Sequence, residues 1–266
     1  MNLNLQGKRA LVTGSSSGLG EAIVHFLAKE GASVVVHGRD EKKVADVTSS
    51  VRALGGTVDP VLGDLSTDAG ADDVCRNALV NGPVDILINN AGYYGRAGWA
   101  DTTEDDWLAA YNANVVSGVR MIKRLLPGMR ERRWGRIIQI GGGLAQQPMA
   151  TQPEYNATLA ARHNLAVSLA RDLKGTGVTS NIVSPGAIKV ASVEDFLAAA
   201  SRRFGWGSEW CEIEAGACRD LVPNDINRLG RPDEIAAAVA YLVSQHADYI
   251  SGAMIRVDGG LNRSLP

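Results

Sequence analysis

Three cysteines, no apolar run long enough to span a bilayer and almost no net charge set the first limits on this 266-residue chain. Cys75, Cys211 and Cys218 are odd in number and lack tight metal-ligand spacing, which argues against a disulfide scaffold and a zinc site. They read as free thiols; Cys211 and Cys218 as a redox pair is the alternative, and burial or chance the reading taken. With 27 basic and 29 acidic residues interspersed and a net charge of −2, no global field favours nucleic acid or an anionic membrane. Met1-Asn2-Leu3-Asn4-Leu5 has no apolar signal core, and nothing approaches the roughly twenty apolar residues of a membrane span. A cytoplasmic protein is therefore expected. Repeats, low-complexity tracts and linkers are missing too, so residues 1–266 read as a single domain acting on a small molecule.

What is present begins at Lys8. Arg9-Ala10-Leu11-Val12 reads as a short buried strand running into Thr13-Gly14-Ser15-Ser16-Ser17-Gly18-Leu19-Gly20 and then a helical pattern carried by Ile23, Phe26 and Leu27. Gly31 ends that helix, and Ser33 to His37 supplies a second apolar strand. A strand, a glycine turn and a helix start form a dinucleotide frame. Gly14 allows the tight turn, Gly18 lets backbone approach a pyrophosphate, and Gly20 permits close helix–strand packing, while the helix N–H groups face the anion.

After the second strand, a protein using NAD often carries an acidic residue for the ribose 2′-hydroxyl, whereas Gly38-Arg39-Asp40 places a guanidinium there. Arg39 suits a 2′-phosphate, so NADP(H) is expected ahead of NAD(H). Asp40 is either a ribose ligand or the cap of the next helix; capping is the reading taken, because Glu41, Lys42 and Lys43 open a polar helix.

Strand signals recur near 8–13, 33–37, 57–62, 84–88, 135–140, 178–183 and 254–257, with helices between most of them. This predicts an α/β, Rossmann-type doubly wound domain: seven parallel strands, helices on both faces, and one ligand crevice at the strand C-terminal ends. Gly141-Gly142-Gly143 falls where a strand reaches that crevice.

Asp64-Leu65 follows the third strand, Asn89-Asn90-Ala91-Gly92 the fourth, Asn114-Val115 lies in the next helix and Tyr155 opens another. Ser184-Pro185-Gly186, Arg228 to Pro232 and Val257-Asp258-Gly259-Gly260 close the series. This ordered set resembles the short-chain dehydrogenase/reductase family over nearly the whole chain. The resemblance implies Asp64 near the adenine and the Asn89 to Gly92 turn along the cofactor. It implies cofactor contacts from Gly14, Ser16, Ser17, Gly18, Leu19 and Arg39, from Asp64, Leu65, Asn90, Ala91 and Gly92, and from Tyr155, Pro185, Gly186 and Ile188. It also implies a homotetramer or homodimer built partly from the helices of Asn114 and Tyr155.

The family's catalytic set is an asparagine, a serine, a tyrosine and a lysine. Asn114 and Tyr155 carry over as catalytic residues; the lysine position is Leu159 and the serine position Gly142. Residues i and i+4 share a helix face, so Leu159 points where the ammonium would. Without that cation the phenol is expected near its reference pKa of about 10, able to donate a proton but poorly able to accept one. Loss of a donor such as the serine typically costs about 10² to 10³ in rate.

Arg162, on nearly the same face but about 10 Å further along the axis, reads as a charge at a helix interface between subunits, as does His163. A side chain leaning back to help is the alternative. Lys189 reads as a solvated lip lysine, or a ligand for pyrophosphate or a substrate anion, and Val190 lacks the polar contact a threonine would make. Gln139, Gln146 and Gln147 read as ordinary loop polarity or as amide donors to a substrate carbonyl. Residues 187–227 read as a substrate-covering lid. Phe196, Leu197, Phe204, Trp206, Trp210 and Ile213 form its apolar side, Gly205 and Gly207 are candidate hinges, and Tyr93, Tyr94 and Trp99 form an opposite wall. An apolar or aromatic substrate would fit, and packing within the lid or an interface would equally explain the rings.

Three functions fit these residues: an NADP(H)-dependent oxidoreductase of a carbonyl or alcohol; a non-redox cyclase, isomerase or lyase with Tyr155 as general acid; or a catalytically silent partner subunit. The first is the expectation.

Overall fold

The structure, a computed structural model, describes residues 2–95 and 97–263. Seven strands, β1 (Arg9–Val12), β2 (Ser33–Gly38), β3 (Val58–Leu62), β4 (Ile86–Asn89), β5 (Gly135–Ile140), β6 (Val178–Pro185) and β7 (Met254–Val257), make one sheet in the order β3-β2-β1-β4-β5-β6-β7. Every pairing is parallel. All seven fall on the segments that the apolar runs predict, because strands buried on both faces are apolar throughout.

Alternation divides each strand between two cores. Ala10 and Val12 of β1, with Val34, Val36, Ile86 and Ile88, pack against Ile23 and Leu27 of α1 (Gly18–Lys29) and Ile235 and Val239 of α9 (Pro232–Val243). Leu11, Val35, Leu87 and Ile137 face the other way, onto Val74 of α3 (Asp68–Ala78) and Met121 and Leu125 of α5 (Ser117–Glu131). On the second face lies α6 (Pro153–Asp172), and α2 (Glu41–Ala53) lies on the first. β1 pairs with β2 on one side and β4 on the other, so the chain order reverses there and a crevice opens at the carboxyl ends of these strands.

Asn114 lies in a helix, as expected, within a single π turn, Asn112–Val116, that joins α4 (Glu104–Tyr111) to α5. A period-3.6 pattern cannot register one extra residue in a turn.

Between β6 and α9, α7 (Ala191–Phe204) and α8 (Trp210–Asp220) build a small core of their own from Leu197, Trp206, Ile213, Ala217 and Leu229. Trp206 donates from Nε1 to Asp220 at 2.7 Å and stacks on Phe204, with ring centroids 5.0 Å apart. Most of the predicted apolar side therefore packs the helix pair itself, while Phe196 and Phe204 remain exposed. Gly205 closes α7, and Gly207 lies in the turn into α8 against Glu212. Among the described residues no helix is long and apolar enough to cross a membrane, and no cluster of His, Cys, Asp or Glu could hold a metal ion.

Candidate active site

The glycine turn is held from beneath. Gly14 takes φ +64°, and a Cβ there would lie 2.9 Å from Ala91 Cα, so only glycine lets the turn reach the end of β4. A Cβ on Gly20 would come within 2.5 Å of the Gly14 carbonyl oxygen, which is the close packing read from the motif. Ser17 starts α1 without a side-chain cap, leaving the first-turn N–H groups to face the crevice. The spaces these glycines keep open, together with the uncapped helix start, fit a dinucleotide phosphate.

Two residues outside the expected set fix this turn to β2. Ser15 donates from Oγ to Val12 and accepts from the His37 N–H at 3.0 Å. His37 accepts the Gly14 N–H on Nδ1 at 3.0 Å while Nε2 faces the Gly63 carbonyl at 3.2 Å, an arrangement that needs the neutral ring. Burial accordingly pulls its pKa down to about 4. A polar residue closing an otherwise apolar strand was the only sequence signal for it.

Beyond β2, Ser16 leans against Gly38 and Arg39 is exposed at the strand end. Asp40 caps α2, accepting the Lys43 N–H at 3.1 Å, as expected. Asp64 accepts the Ser66 N–H at 2.9 Å, and this bond chiefly holds its carboxyl below the usual range, with Arg39 adding to the effect. Leu65 puts its side chain in the core, so only its backbone could reach a cofactor.

At the end of β4, Asn90 donates to the Thr13 and Gly14 carbonyls at 2.9 and 3.1 Å, and Thr13 Oγ1 accepts the N–H groups of Asn90 and Ala91. Asn114 is buried and fully engaged: Oδ1 accepts the Tyr93 N–H at 2.6 Å, and Nδ2 donates to the Tyr93 carbonyl and to Thr158 Oγ1. Its amide thus clamps the segment after β4 to α6.

Tyr155 is half-buried on the first turn of α6, its ring 5.2 Å from that of Tyr94 at 50°. The phenol departs from the expected unperturbed value. Burial pushes its pKa up, Tyr94 adds to the rise, and Arg162 opposes it. At neutral pH the group is a protonated donor.

Arg162 corrects the sequence reading most plainly. It is 5 % exposed and lies inside the site rather than at a helix surface. Nε donates to the Asn114 carbonyl, Nη1 to Ile140 at 2.7 Å and Nη2 to Ala91. Leu159 is buried one turn before it, and a Cβ on Gly142 would lie 3.0 Å from Leu159 Cδ1, so leucine and glycine pack as a pair.

A phosphate cradle, a clamped Asn114 and a protonated Tyr155 therefore lie at the carboxyl end of one sheet. The profile described as short chain dehydrogenase matches residues 8–200. The chain belongs to the short-chain dehydrogenase family. It is 39% identical over 267 residues to the uncharacterized oxidoreductase YvaG of Bacillus subtilis, covering 100% of both chains. Among solved structures, L-sorbose reductase from Gluconobacter frateurii, complexed with NADPH and L-sorbose, is 31% identical with a TM-score of 0.93 and full coverage of both chains. A 3-oxoacyl (acyl-carrier-protein) reductase from Agrobacterium tumefaciens with NADP bound is 36% identical with a TM-score of 0.88, over 97% of this chain and 96% of that one.

The remaining candidates of this short-chain dehydrogenase separate clearly. Gln139 flanks the glycine run as expected, but as a buried residue of β5 rather than as loop polarity. Gln147 accepts the Arg263 N–H at 3.0 Å, and the Gln146 Oε1 is buried without a partner among the described residues. His163 packs against Gly141, and burial pulls its pKa down to about 4. Pro185 ends β6, the Gly186 N–H bonds to Val257, and Ile188 bridges to Gly230. Lys189 lies 4.6 Å from the Trp210 ring and 3.7 Å from Glu194, committed to the α7–α8 pair. A Cβ on Gly18 would lie 3.9 Å from Val190 Cγ1, which places this apolar side chain beside the phosphate turn. Cys211 is exposed, and Cys75 and Cys218 are buried; all three are free thiols.

Proposed function

We propose that the protein is an NADP(H)-dependent oxidoreductase that reduces a carbonyl group, with Tyr155 as proton donor and a catalytic set in which Leu159 and Gly142 replace lysine and serine. The observation that carries this reading is the protonated, half-buried Tyr155 at the same strand ends as the open glycine turn and Arg39. The complexes of L-sorbose reductase with NADPH and of the Agrobacterium reductase with NADP support the choice of cofactor.

The phosphates would lie on the first turn of α1 and the 2′-phosphate at Arg39, with Asp64 toward the adenine. When bound, the reduced nicotinamide supplies a hydride, the two electrons that turn a carbonyl carbon into an alcohol carbon. Tyr155 gives its hydroxyl proton to the carbonyl oxygen and is reprotonated from water. Asn114 keeps the segment carrying Tyr93 and Tyr94 in place, so that the Tyr94 ring walls the phenol. A phenol whose pKa is raised donates readily only to a strongly basic developing alkoxide, which favours reduction over alcohol oxidation.

In this reading α7 and α8 form the lid at about 187–227. The exposed rings of Tyr93, Tyr94, Trp99 and Phe196 suit an apolar or aromatic carbonyl compound, and the protein assembles in the cytoplasm as a homodimer or homotetramer. Leu159 favours one other reading, a non-redox isomerase or lyase that keeps the nucleotide as a wall.

Titration with NADPH and NADH, followed by a carbonyl panel read at the nicotinamide absorbance, tests the proposal. Arg39→Gln should weaken NADPH roughly ten- to a hundredfold, the loss of a charge-assisted bond, and spare NADH. Asp40→Ala should leave the preference unchanged. Tight NADPH binding with no oxidation over the panel would transfer the conclusion to the non-redox reading.

A further inference from the structure

We infer that Arg162 is the cation of this site, a positioning residue that ties the ends of β4 and β5 to the π turn and presents positive charge to the Tyr155 hydroxyl. The inference deepens the reductase reading and rests on it. Residues 155, 159 and 162 lie on one face of α6. Side chains on a helix lean toward its N-terminus, so a long side chain at 162 reaches back beneath Leu159 toward the tyrosine.

The partners of Arg162 decide its role. All three guanidinium nitrogens donate, and every acceptor is a main-chain carbonyl: Ala91, Asn114 and Ile140. Among the described residues no carboxylate forms an ion pair with it. Carbonyl dipoles satisfy the donors but leave the net charge, and the buried surroundings screen it weakly. Room for the head group depends on Gly92, where a Cβ would lie 3.4 Å from Nη2. An ammonium in so buried a place would shed its proton, whereas a guanidinium begins from a far higher pKa and stays charged.

Tyr94 faces Tyr155 from the segment after β4 and Arg162 from α6, while neighbouring Glu154 turns its carboxylate to Gly95. Of these Arg162 alone favours the phenolate. As hydride adds to the carbonyl carbon and the Tyr155 proton passes to its oxygen, negative charge moves onto Tyr155, and the guanidinium balances it until water returns the proton.

A fluorinated tyrosine incorporated at Tyr155, which ionises well below tyrosine, makes this ionisation measurable by absorbance without turnover. It is titrated in the full-length protein carrying Arg162, Arg162→Met or Arg162→Gln. The second variant keeps one amide donor for these carbonyls while removing the charge. The expected result is an ionisation constant at least about tenfold lower in both neutral variants, one pKa unit. Arg162→Lys should behave like the neutral variants, because its ammonium gives up its proton there, and kcat for reduction should fall with little change in KM for NADPH. An ionisation constant unchanged in Arg162→Gln would overturn the inference and leave Arg162 a structural tie. A shifted constant in a protein that oxidises no NADPH would instead overturn the reductase reading while the electrostatic role stands.

Discussion

Gly142 and Leu159 are two halves of one packing arrangement, and a double-mutant cycle should show it. The backbone at Gly142 is extended (φ 180°, ψ 154°), so any residue fits the dihedrals and only the side chain can cause trouble. Its Cβ would meet Leu159 Cδ1 at 3.0 Å, and Leu159 is 2 % exposed with little space to retreat. Gly142→Ser should therefore cost about 1–2 kcal/mol, the usual range for modest overpacking. Leu159→Ala should cost about 3 kcal/mol by removing buried methyl groups and leaving a cavity. In the double variant the serine enters the vacated space, so the combined cost should fall short of the sum by about 1–2 kcal/mol. Urea unfolding of the four proteins at pH 7 measures this coupling. Additivity within about 0.5 kcal/mol would refute the contact. The same logic means that a serine restored at 142 without relieving position 159 should harm the protein rather than repair it.

Two other expectations follow from the cofactor turn. His37 has a folded pKa of about 4 against an ordinary 6.5, so below pH 6.5 the unfolded chain takes up a proton that the folded chain refuses. Stability is then fully present above pH 6.5 and falls by about 3 kcal/mol as the pH drops to 4. Urea midpoints across that range, compared with His37→Gln, isolate this slope because His163 is common to both proteins; parallel slopes would contradict the assignment. Gly20→Ala places a Cβ 2.5 Å from the Gly14 oxygen and 2.6 Å from Asn90 Nδ2, so the turn must shift. NADPH affinity should drop at least about tenfold by fluorescence titration, more than a loss of helix stability alone would give, and unchanged affinity would show the turn to be more pliant than its packing implies.

The sequence alone determined what depends on neighbours in the chain. Apolar runs set the seven strands, the glycine spacing set the turn and helix start, and the polar opening of α2 marked Asp40 as a cap, because backbone preference and side-chain period act over a few residues. The spacing of Tyr155 and Leu159 placed both on one helix face. Tertiary structure decided everything that joins distant segments. Arg162 reaches a carbonyl 71 residues away, His37 accepts from a turn 23 residues earlier, and Leu159 fills the space that Gly142 leaves. Periodicity marks Arg162 as a polar position on a helix and is silent on what the opposite strand ends present. A guanidinium on a surface and one beneath a phenol read alike until the sheet is assembled, because burial and the direction of a long side chain are properties of packing.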